Sequence, residues 1–71
     1  MNVHEMHKIL KNEGDFKLHE FEEGLAVVLH EFDAQLWRTL RWDVIADMNE
    51  DDVIDLSTEM WETLYKVTKE G

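Results

Sequence analysis

The chain contains neither cysteine nor proline, and its three glycines stand at positions 14, 24 and 71. Without cysteine, neither disulfides nor thiolate metal sites can form. No apolar run is long enough to span a bilayer, and residues 1–10 lack the basic start and apolar core of a signal peptide. We therefore expect a cytoplasmic protein.

Basic residues are also scarce. The 71 residues include 17 aspartates and glutamates but only 7 lysines and arginines, so the net charge is −10 with neutral histidines. Proteins bind nucleic acids and anionic membranes through basic side chains, so this charge argues against binding either directly and favours a basic partner. Apolar residues make up 44% of the chain, too many for a disordered acidic tail. The length fits one small domain over residues 1–71.

Apolar residues near the N-terminus recur at helical spacing. Val3, Met6 and Ile9 predict a short amphipathic helix over residues 3–12, with Asn2 as its cap. Gly14 can end this helix, so we expect a loop at residues 12–15.

Residues 16–32 fit two different structures. In the first, a strand begins at Phe16, Glu23–Gly24 form a two-residue turn, and Leu18 faces Leu29 across a hairpin. In the second, one helix continues beyond residue 32 and carries a single apolar stripe. That stripe would consist of Phe21, Leu25, Val28, Leu29, Phe32, Leu36 and Leu40.

Residues 35–48 favour a third strand, which makes the hairpin the preferred interpretation. Leu40, Trp42 and Val44 alternate onto one face, and Trp, Thr, Val and Ile are common in strands. We expect this strand to end by Met48. The predicted fold is α+β, with an N-terminal helix, a three-stranded antiparallel meander and a C-terminal helix. An all-α helical hairpin or bundle is the alternative.

The C-terminal stretch carries the signals of a capped helix. Asn49 can cap it, and Asp52 stands three residues later as in a capping box. Lys66 and Lys69 lie near its end, where the helix dipole favours cations. The sequence therefore predicts a helix from about residue 50 to residue 69.

Residues 47–58 match the pattern of a calcium-binding loop only in part. Asp47, Asn49 and Asp51 match the first ligand positions of such a loop. Its sixth position should be Gly and is Asp52, and its twelfth should be Glu and is Thr58. The sequence therefore predicts no metal site here.

Other residues that could carry chemistry are isolated. His4 and His7 are one helical turn apart, and surface positions on an amphipathic helix are their simpler interpretation, as cross-strand surface positions are for His19 and His30. The single serine, Ser57, lies inside the predicted C-terminal helix without a glycine loop or a nucleophile elbow. We expect no cofactor and no enzymatic activity.

The acidic residues of the C-terminal half suggest a surface that imitates DNA. No basic residue occurs between Arg41 and Lys66. Carboxylates three or four residues apart on a helix have Cβ atoms about 5–6 Å apart, and the phosphates of one DNA strand rise about 3.4 Å per nucleotide along the axis. A helical row of Asp51, Asp55, Glu59 and Glu62 is predicted to present such charge to a DNA-binding groove. The full set of predicted partner-binding residues is Asp43, Asp47, Glu50, Asp51, Asp52, Asp55, Glu59 and Glu62.

Aromatic residues suggest a homodimer. Three tryptophans are a large apolar load for 71 residues. Some aromatic side chains, together with Met48 and Met60, are therefore expected at a subunit or partner interface. A two-fold dimer would enlarge the core and double the carboxylate row.

In size, charge and mixture of apolar and acidic residues, the whole chain resembles the small acidic host-takeover proteins of lytic bacteriophages. Among them it is most similar to the DNA mimics that block the bacterial nucleoid protein HU. The resemblance implies an inhibitor that occupies the DNA-binding surface of a basic, HU-like protein in the cytoplasm or nucleoid of a bacterial host. It assigns no contact residue, and the carboxylates named above come from helical spacing alone.

A second hypothesis is a regulatory protein–protein interaction module of the anti-activator or antitoxin type. Trp37, Trp42 and the methionines would then bind the partner through apolar contacts. Moderate salt would hardly weaken such a complex, whereas it would weaken a DNA mimic's complex strongly.

Overall fold

A three-stranded sheet covered on one face by helices forms the structure, a computed structural model that describes residues 1–70 without the side chain of residue 70. The strands are antiparallel and lie in the order β1–β2–β3. The predicted α+β fold is confirmed, and the all-α alternative is wrong. The elements are α1 (Val3–Lys11), β1 (Phe16–Phe21), β2 (Gly24–Glu31), β3 (Ala34–Arg41), α2 (Trp42–Asp47) and α3 (Glu50–Glu70).

Helix α1 follows its local signals. The Asn2 side chain accepts a hydrogen bond from the Glu5 amide at 2.8 Å, which satisfies one of the free N–H groups of the first turn. Met6 and Leu10 are fully buried, so the predicted apolar stripe faces the sheet. The helix ends at Lys11, and the chain turns through residues 12–15 as expected.

The β1–β2 hairpin differs in register from the sequence prediction. Its two-residue turn is Glu22–Glu23, one position before the predicted turn at Glu23–Gly24. Leu18 consequently pairs with Val27 and not with Leu29. Because the error is two positions, each of these side chains still lies on the predicted face of the sheet.

Gly24 has a different role from the turn residue that its position suggested. It is the first residue of β2, and it pairs with Phe21 on one side and Arg41 on the other. A Cβ atom at Gly24 would stand 1.9 Å from the backbone oxygen of Leu40. Glycine is therefore required by the close approach of two strands.

The third strand is shorter than predicted. It ends at Arg41, and Trp42–Asp47 form the helix α2. The expected strand to Met48 is therefore wrong, as is the expectation that Trp42 and Val44 continue the face of Leu40. The Val44 side chain is 46% exposed.

Tertiary contacts explain why residues with high strand propensity form α2. The Trp42 indole N–H lies 3.2 Å from the carbonyl oxygen of Phe21 and 3.0 Å from that of Glu22, and the Trp42 amide donates to the Glu23 carbonyl. Ile45, one helical turn later, is 2% exposed in the core. Satisfying these carbonyls and burying Ile45 outweighs the strand preference of Trp, Val and Ile.

One apolar core lies between the sheet and the three helices. Met60 is 1% exposed and belongs to this core, so the prediction that it lies at an interface is wrong. Alternate residues of the strands supply the sheet side, as expected for a sheet with one covered face. The core residues are Met6, Leu10, Phe16, Leu25, Val27, Leu29, Ile45, Val53, Leu56, Met60 and Leu64.

Candidate acidic interface

Helix α3 begins with the predicted capping box. The Asn49 amide donates to Asp52 Oδ2 at 3.1 Å, and the Asp52 amide donates to Asn49 Oδ1 at 2.9 Å. Glu50 and Asp51 share the first turn, where the helix dipole favours negative charge. Although α3 has 21 residues, no helix in the described part of the chain is both long and apolar enough to cross a membrane.

Three carboxylates form a row along the solvent side of α3. With about 100° of rotation per residue, Asp51, Asp55 and Glu62 lie within roughly 40° of one another. All three are exposed. They span about 16 Å along the axis, at 1.5 Å per residue. The opposite side of the helix carries its buried stripe, Val53, Leu56, Met60 and Leu64.

Glu59, the fourth member of the predicted row, lies beside the other three. It is rotated by about 60° from Glu62, and its Oε2 atom is 3.6 Å from Nη2 of Arg38 on β3. Both side chains are at least half-exposed, so this pair contributes at most about 1 kcal/mol. The charge of Glu59 is thus partly compensated, and the unpaired row has three members.

Intramolecular contacts divide the eight predicted carboxylates into two groups. Asp43 accepts two hydrogen bonds from Arg41, at 3.1 and 3.0 Å, while Asp52 caps α3 and Glu59 pairs with Arg38. All eight are exposed. Within residues 1–70, five have neither a side-chain hydrogen bond nor an ion pair, namely Asp47, Glu50, Asp51, Asp55 and Glu62.

The fold brings two further acidic residues, Glu22 and Glu23, to the start of α2. Because the Trp42 indole donates to the carbonyls of Phe21 and Glu22, the turn Glu22–Glu23 lies against the start of α2, next to Asp43. Both glutamates are exposed. The contact joins residues 20 positions apart, and no local sequence signal indicates it.

The sheet face turned away from the helices contains no carboxylate. Side chains alternate along each strand, and the members that do not face the core point outward. In a chain with 17 acidic residues, this is a marked separation of charge. The outward positions are Lys17, His19, Phe21, Gly24, Ala26, Val28, His30, Gln35, Trp37, Thr39 and Arg41, and we call them the outer sheet face.

Aromatic side chains cover the centre of the outer sheet face. The rings of His19 and Trp37 stack at 5.6 Å with an interplanar angle of 14°. These residues flank the central strand, where Ala26 and Val28 are only 6% and 4% exposed. Trp37 itself is 55% exposed.

The apolar surface proposed in the second hypothesis is not continuous. Of its expected members, Trp37 is exposed on the outer sheet face, whereas Met60 is in the core. Trp42 is half-buried, with its indole N–H bonded to the β1–β2 turn. Trp37, Trp42 and the methionines therefore do not form one exposed patch.

A second aromatic group lies beside α3. Phe32 in the β2–β3 turn contacts Trp61 and Tyr65, with ring centroids 6.0 and 5.4 Å away, and the latter two rings are 5.8 Å apart. Phe32 and Tyr65 are 54% and 51% exposed. The sequence indicated Trp61 and Tyr65 as members of one helix but gave no sign that Phe32 joins them. We call Phe32, Trp61 and Tyr65 the aromatic cluster.

The residues considered as metal ligands lie apart from one another. His4 and His7 are exposed on α1, and His19 stacks on Trp37. Asp51 lies in the first turn of α3, so the rejected calcium pattern runs through regular helix. No group of three or more His, Asp or Glu side chains within the described residues is arranged to hold a metal ion.

Known proteins provide no further guide to this surface. The described residues themselves present three features: an unpaired carboxylate row on α3, an outer sheet face without carboxylates, and the aromatic cluster. No protein-family model, curated protein or solved structure matches the chain.

Proposed function

We propose that this protein is a DNA mimic that binds a basic DNA-binding protein and blocks its DNA-binding surface. The partner class is a histone-like, HU-like nucleoid protein of a bacterial host. The observation that carries the proposal is the row of Asp51, Asp55 and Glu62, which is exposed, unpaired within the described residues, and part of a stretch without basic residues.

The spacing of the row is compatible with this role. The three unpaired carboxylates, Asp51, Asp55 and Glu62, place three charges over about 16 Å, or roughly one per 8 Å, and the partly compensated Glu59 lies between Asp55 and Glu62. One strand of DNA carries one charge per about 3.4 Å of axis, so one copy of the unpaired row reaches roughly 40% of that density. The mean spacing is close to the Debye length of about 8 Å at physiological ionic strength. The electrostatic potentials of neighbouring carboxylates therefore overlap, and a basic groove would interact with the row as a continuous negative surface.

A solvated surface without a partner explains this arrangement less well. Like charges three or four residues apart destabilise a helix by about 0.2–0.5 kcal/mol per pair. Solubility is equally served by a surface of mixed signs. A row of one sign therefore lowers stability without a gain in solubility, which supports selection for a basic partner.

The proposal includes a homodimer that forms through the outer sheet face. Two molecules of charge −10 repel each other, and this is the one sheet face without carboxylates. Trp37 and Phe21 are 55% and 40% exposed on it and would be buried by a second copy. Because packed sheets lie about 10 Å apart face to face, the helices would stay outside and both carboxylate rows would remain accessible.

This dimer is expected to be weak and to strengthen with salt. The three strands, of six, eight and eight residues, give a face of at most about 26 × 14 Å. This area is less than the roughly 800 Å² per partner of a standard interface. Salt screens the repulsion between the two acidic molecules. Sedimentation at low and high NaCl should show more dimer at high salt, and Trp37→Glu should abolish it. Dimerisation that weakens with salt would contradict this arrangement.

Competition with DNA tests the function directly. Purified HU is bound to fluorescently labelled duplex DNA, and the protein is titrated in at several NaCl concentrations. We expect DNA to be displaced, and displacement to weaken steeply with salt because the contacts are between charges. Failure to displace DNA would contradict the proposal, and binding that persists unchanged at high salt would favour an apolar interaction module.

A matched pair of variants locates the interface. The triple variant Asp51→Asn, Asp55→Asn, Glu62→Gln removes the row. The control, Glu5→Gln, Glu13→Gln, Glu20→Gln, changes the net charge equally at three exposed positions outside α3. The row variant should compete at least tenfold less well than the control. Equal losses would mean that net charge, and not the row, determines binding.

A further inference from the structure

The aromatic cluster leaves two large rings unusually exposed. Phe32 is 54% and Tyr65 51% exposed, whereas Trp61 is partly buried. The Trp61 indole N–H donates to the Glu13 carbonyl at 2.8 Å, and its ring lies where a Cβ atom on Gly14 would be 2.8 Å away. These contacts fix Trp61 against the α1–β1 loop, and its ring packs against the solvent-facing rings of Phe32 and Tyr65.

The Phe32 ring lies in this cluster at the end of a strained stretch of backbone. Phe32 and Asp33 both have positive φ, 55° and 58°. Two-residue hairpin turns with this geometry usually contain Asn-Gly or Asp-Gly, because the left-handed region is unfavourable for other residues by roughly 1–2 kcal/mol. Because Phe32 is only half-buried, its packing supplies only part of the stabilisation that full burial of a phenylalanine would give. Stability alone therefore does not account for phenylalanine at this position.

The cluster adjoins the C-terminal end of the carboxylate row. Tyr65 is three residues beyond Glu62 on α3, a spacing that brings their Cβ atoms within about 5–6 Å. Glu62 is exposed and has no ion pair in the part of the chain that is described. Lys69, four residues after Tyr65, bounds the cluster on the other side. The Glu62 carboxylate and the exposed Tyr65 ring thus lie side by side, with the carboxylate towards the row, and Phe32 packs against Tyr65.

A guanidinium group matches this pairing better than an ammonium group. Arginine can stack its planar group on an aromatic ring while its N–H groups bind a carboxylate. Lysine carries a compact, strongly hydrated charge that can pair with the carboxylate but gains less from the ring. We propose that Glu62 and the aromatic cluster form a site selective for an arginine side chain of the basic partner. Glu62 pairs with the guanidinium, and the exposed ring of Tyr65, which packs against Phe32, stacks on it.

This inference rests on the proposed function for the nature of the partner, but the carboxylate row alone does not supply its selectivity. The probes are two peptides, octa-arginine and octa-lysine, titrated into the protein and followed by tryptophan fluorescence and calorimetry. We expect octa-arginine to bind about three- to tenfold more tightly, as a stacked cation would. Both affinities should fall with salt.

Variants of the cluster separate stacking from the general preference of acidic surfaces for arginine. In Phe32→Asn, Tyr65→Leu the rings are removed, and Asn accepts the positive φ of the turn. This variant should bind the two peptides almost equally, with octa-lysine affinity unchanged. The control Val44→Ala, Val67→Ala removes two exposed apolar side chains outside both the aromatic cluster and the outer sheet face, and it should keep the wild-type ratio. If the double variant is not folded, Tyr65→Leu alone is measured and should still reduce the ratio.

The outcomes distinguish this inference from the proposed function. Equal binding of both peptides by the wild-type protein, or a ratio that survives loss of the rings, overturns the arginine site and leaves the carboxylate row intact. Binding of neither peptide overturns both proposals. Loss of both affinities in Asp51→Asn, Asp55→Asn, with an unchanged ratio, supports both.

Discussion

Replacing Asp55 by Asn should make the protein more stable. Asp55 has three like-charged neighbours at helical spacing, Asp51, Asp52 and Glu59. Each such pair destabilises a helix by about 0.2–0.5 kcal/mol, so removing all three should raise the free energy of unfolding by about 0.6–1.5 kcal/mol. Because Arg38 partly compensates the charge of Glu59, we expect a gain in the lower half of that range. Asp and Asn have similar helix propensities, so the change isolates the charge. For a domain of this size, the melting temperature should rise by several degrees, at about 4–8 °C per kcal/mol.

Urea unfolding at low and high salt tests this reasoning. The gain should shrink in 1 M NaCl, where the Debye length of about 3 Å is shorter than the spacing of the charges. Glu5→Gln is the matched control: it changes the net charge equally, but Glu5 lies in the first turn of α1, three residues before Lys8. It should lower the free energy of unfolding. If both variants shift stability in the same direction, net charge dominates and the local argument is wrong.

Three further substitutions test the fold. Met60→Ala should lower the free energy of unfolding by about 2–5 kcal/mol because Met60 is 1% exposed in the core, whereas Met48→Ala at a half-buried position should have a smaller effect. Gly24→Ala should lower it by about 1–3 kcal/mol or more, since the added Cβ meets the Leu40 backbone and cannot rotate away. Asn49→Ala removes the cap of α3 and should lower it by about 0.5–2 kcal/mol. Denaturant unfolding measures all three, and a near-neutral Gly24→Ala would argue against the observed pairing of β2 with β3.

The candidate surface was predictable in composition but not in detail. Charged side chains are rarely buried, so the exposure of all eight carboxylates follows from their chemistry. Which of them remain unpaired depends on where β3 places its two arginines. The Arg41–Asp43 pair is local, but Arg38 is 21 residues from Glu59, and only the packing of α3 on β3 brings them together.

Local sequence signals predicted α1 and α3 and favoured three strands between them. Helix caps and the 3.6-residue period act between residues a few positions apart, so Asn2 and the Asn49–Asp52 box indicate where each helix begins. Two-residue alternation likewise indicates which face of a strand is buried. These local signals favoured the α+β fold but left the all-α alternative open for residues 16–40.

Features that depend on contacts between distant residues became apparent only in the folded structure. The turn at Glu22–Glu23 and the helix α2 follow from the approach of Gly24 to Leu40 and from the indole of Trp42 on the β1–β2 turn. The aromatic cluster likewise joins a hairpin turn to the last helix. The register of the three strands decides which side chains share the outer sheet face, and none of them is a carboxylate. Contacts of this kind balance backbone strain and strand propensity against burial and hydrogen bonding, and that balance exists only once the chain has folded.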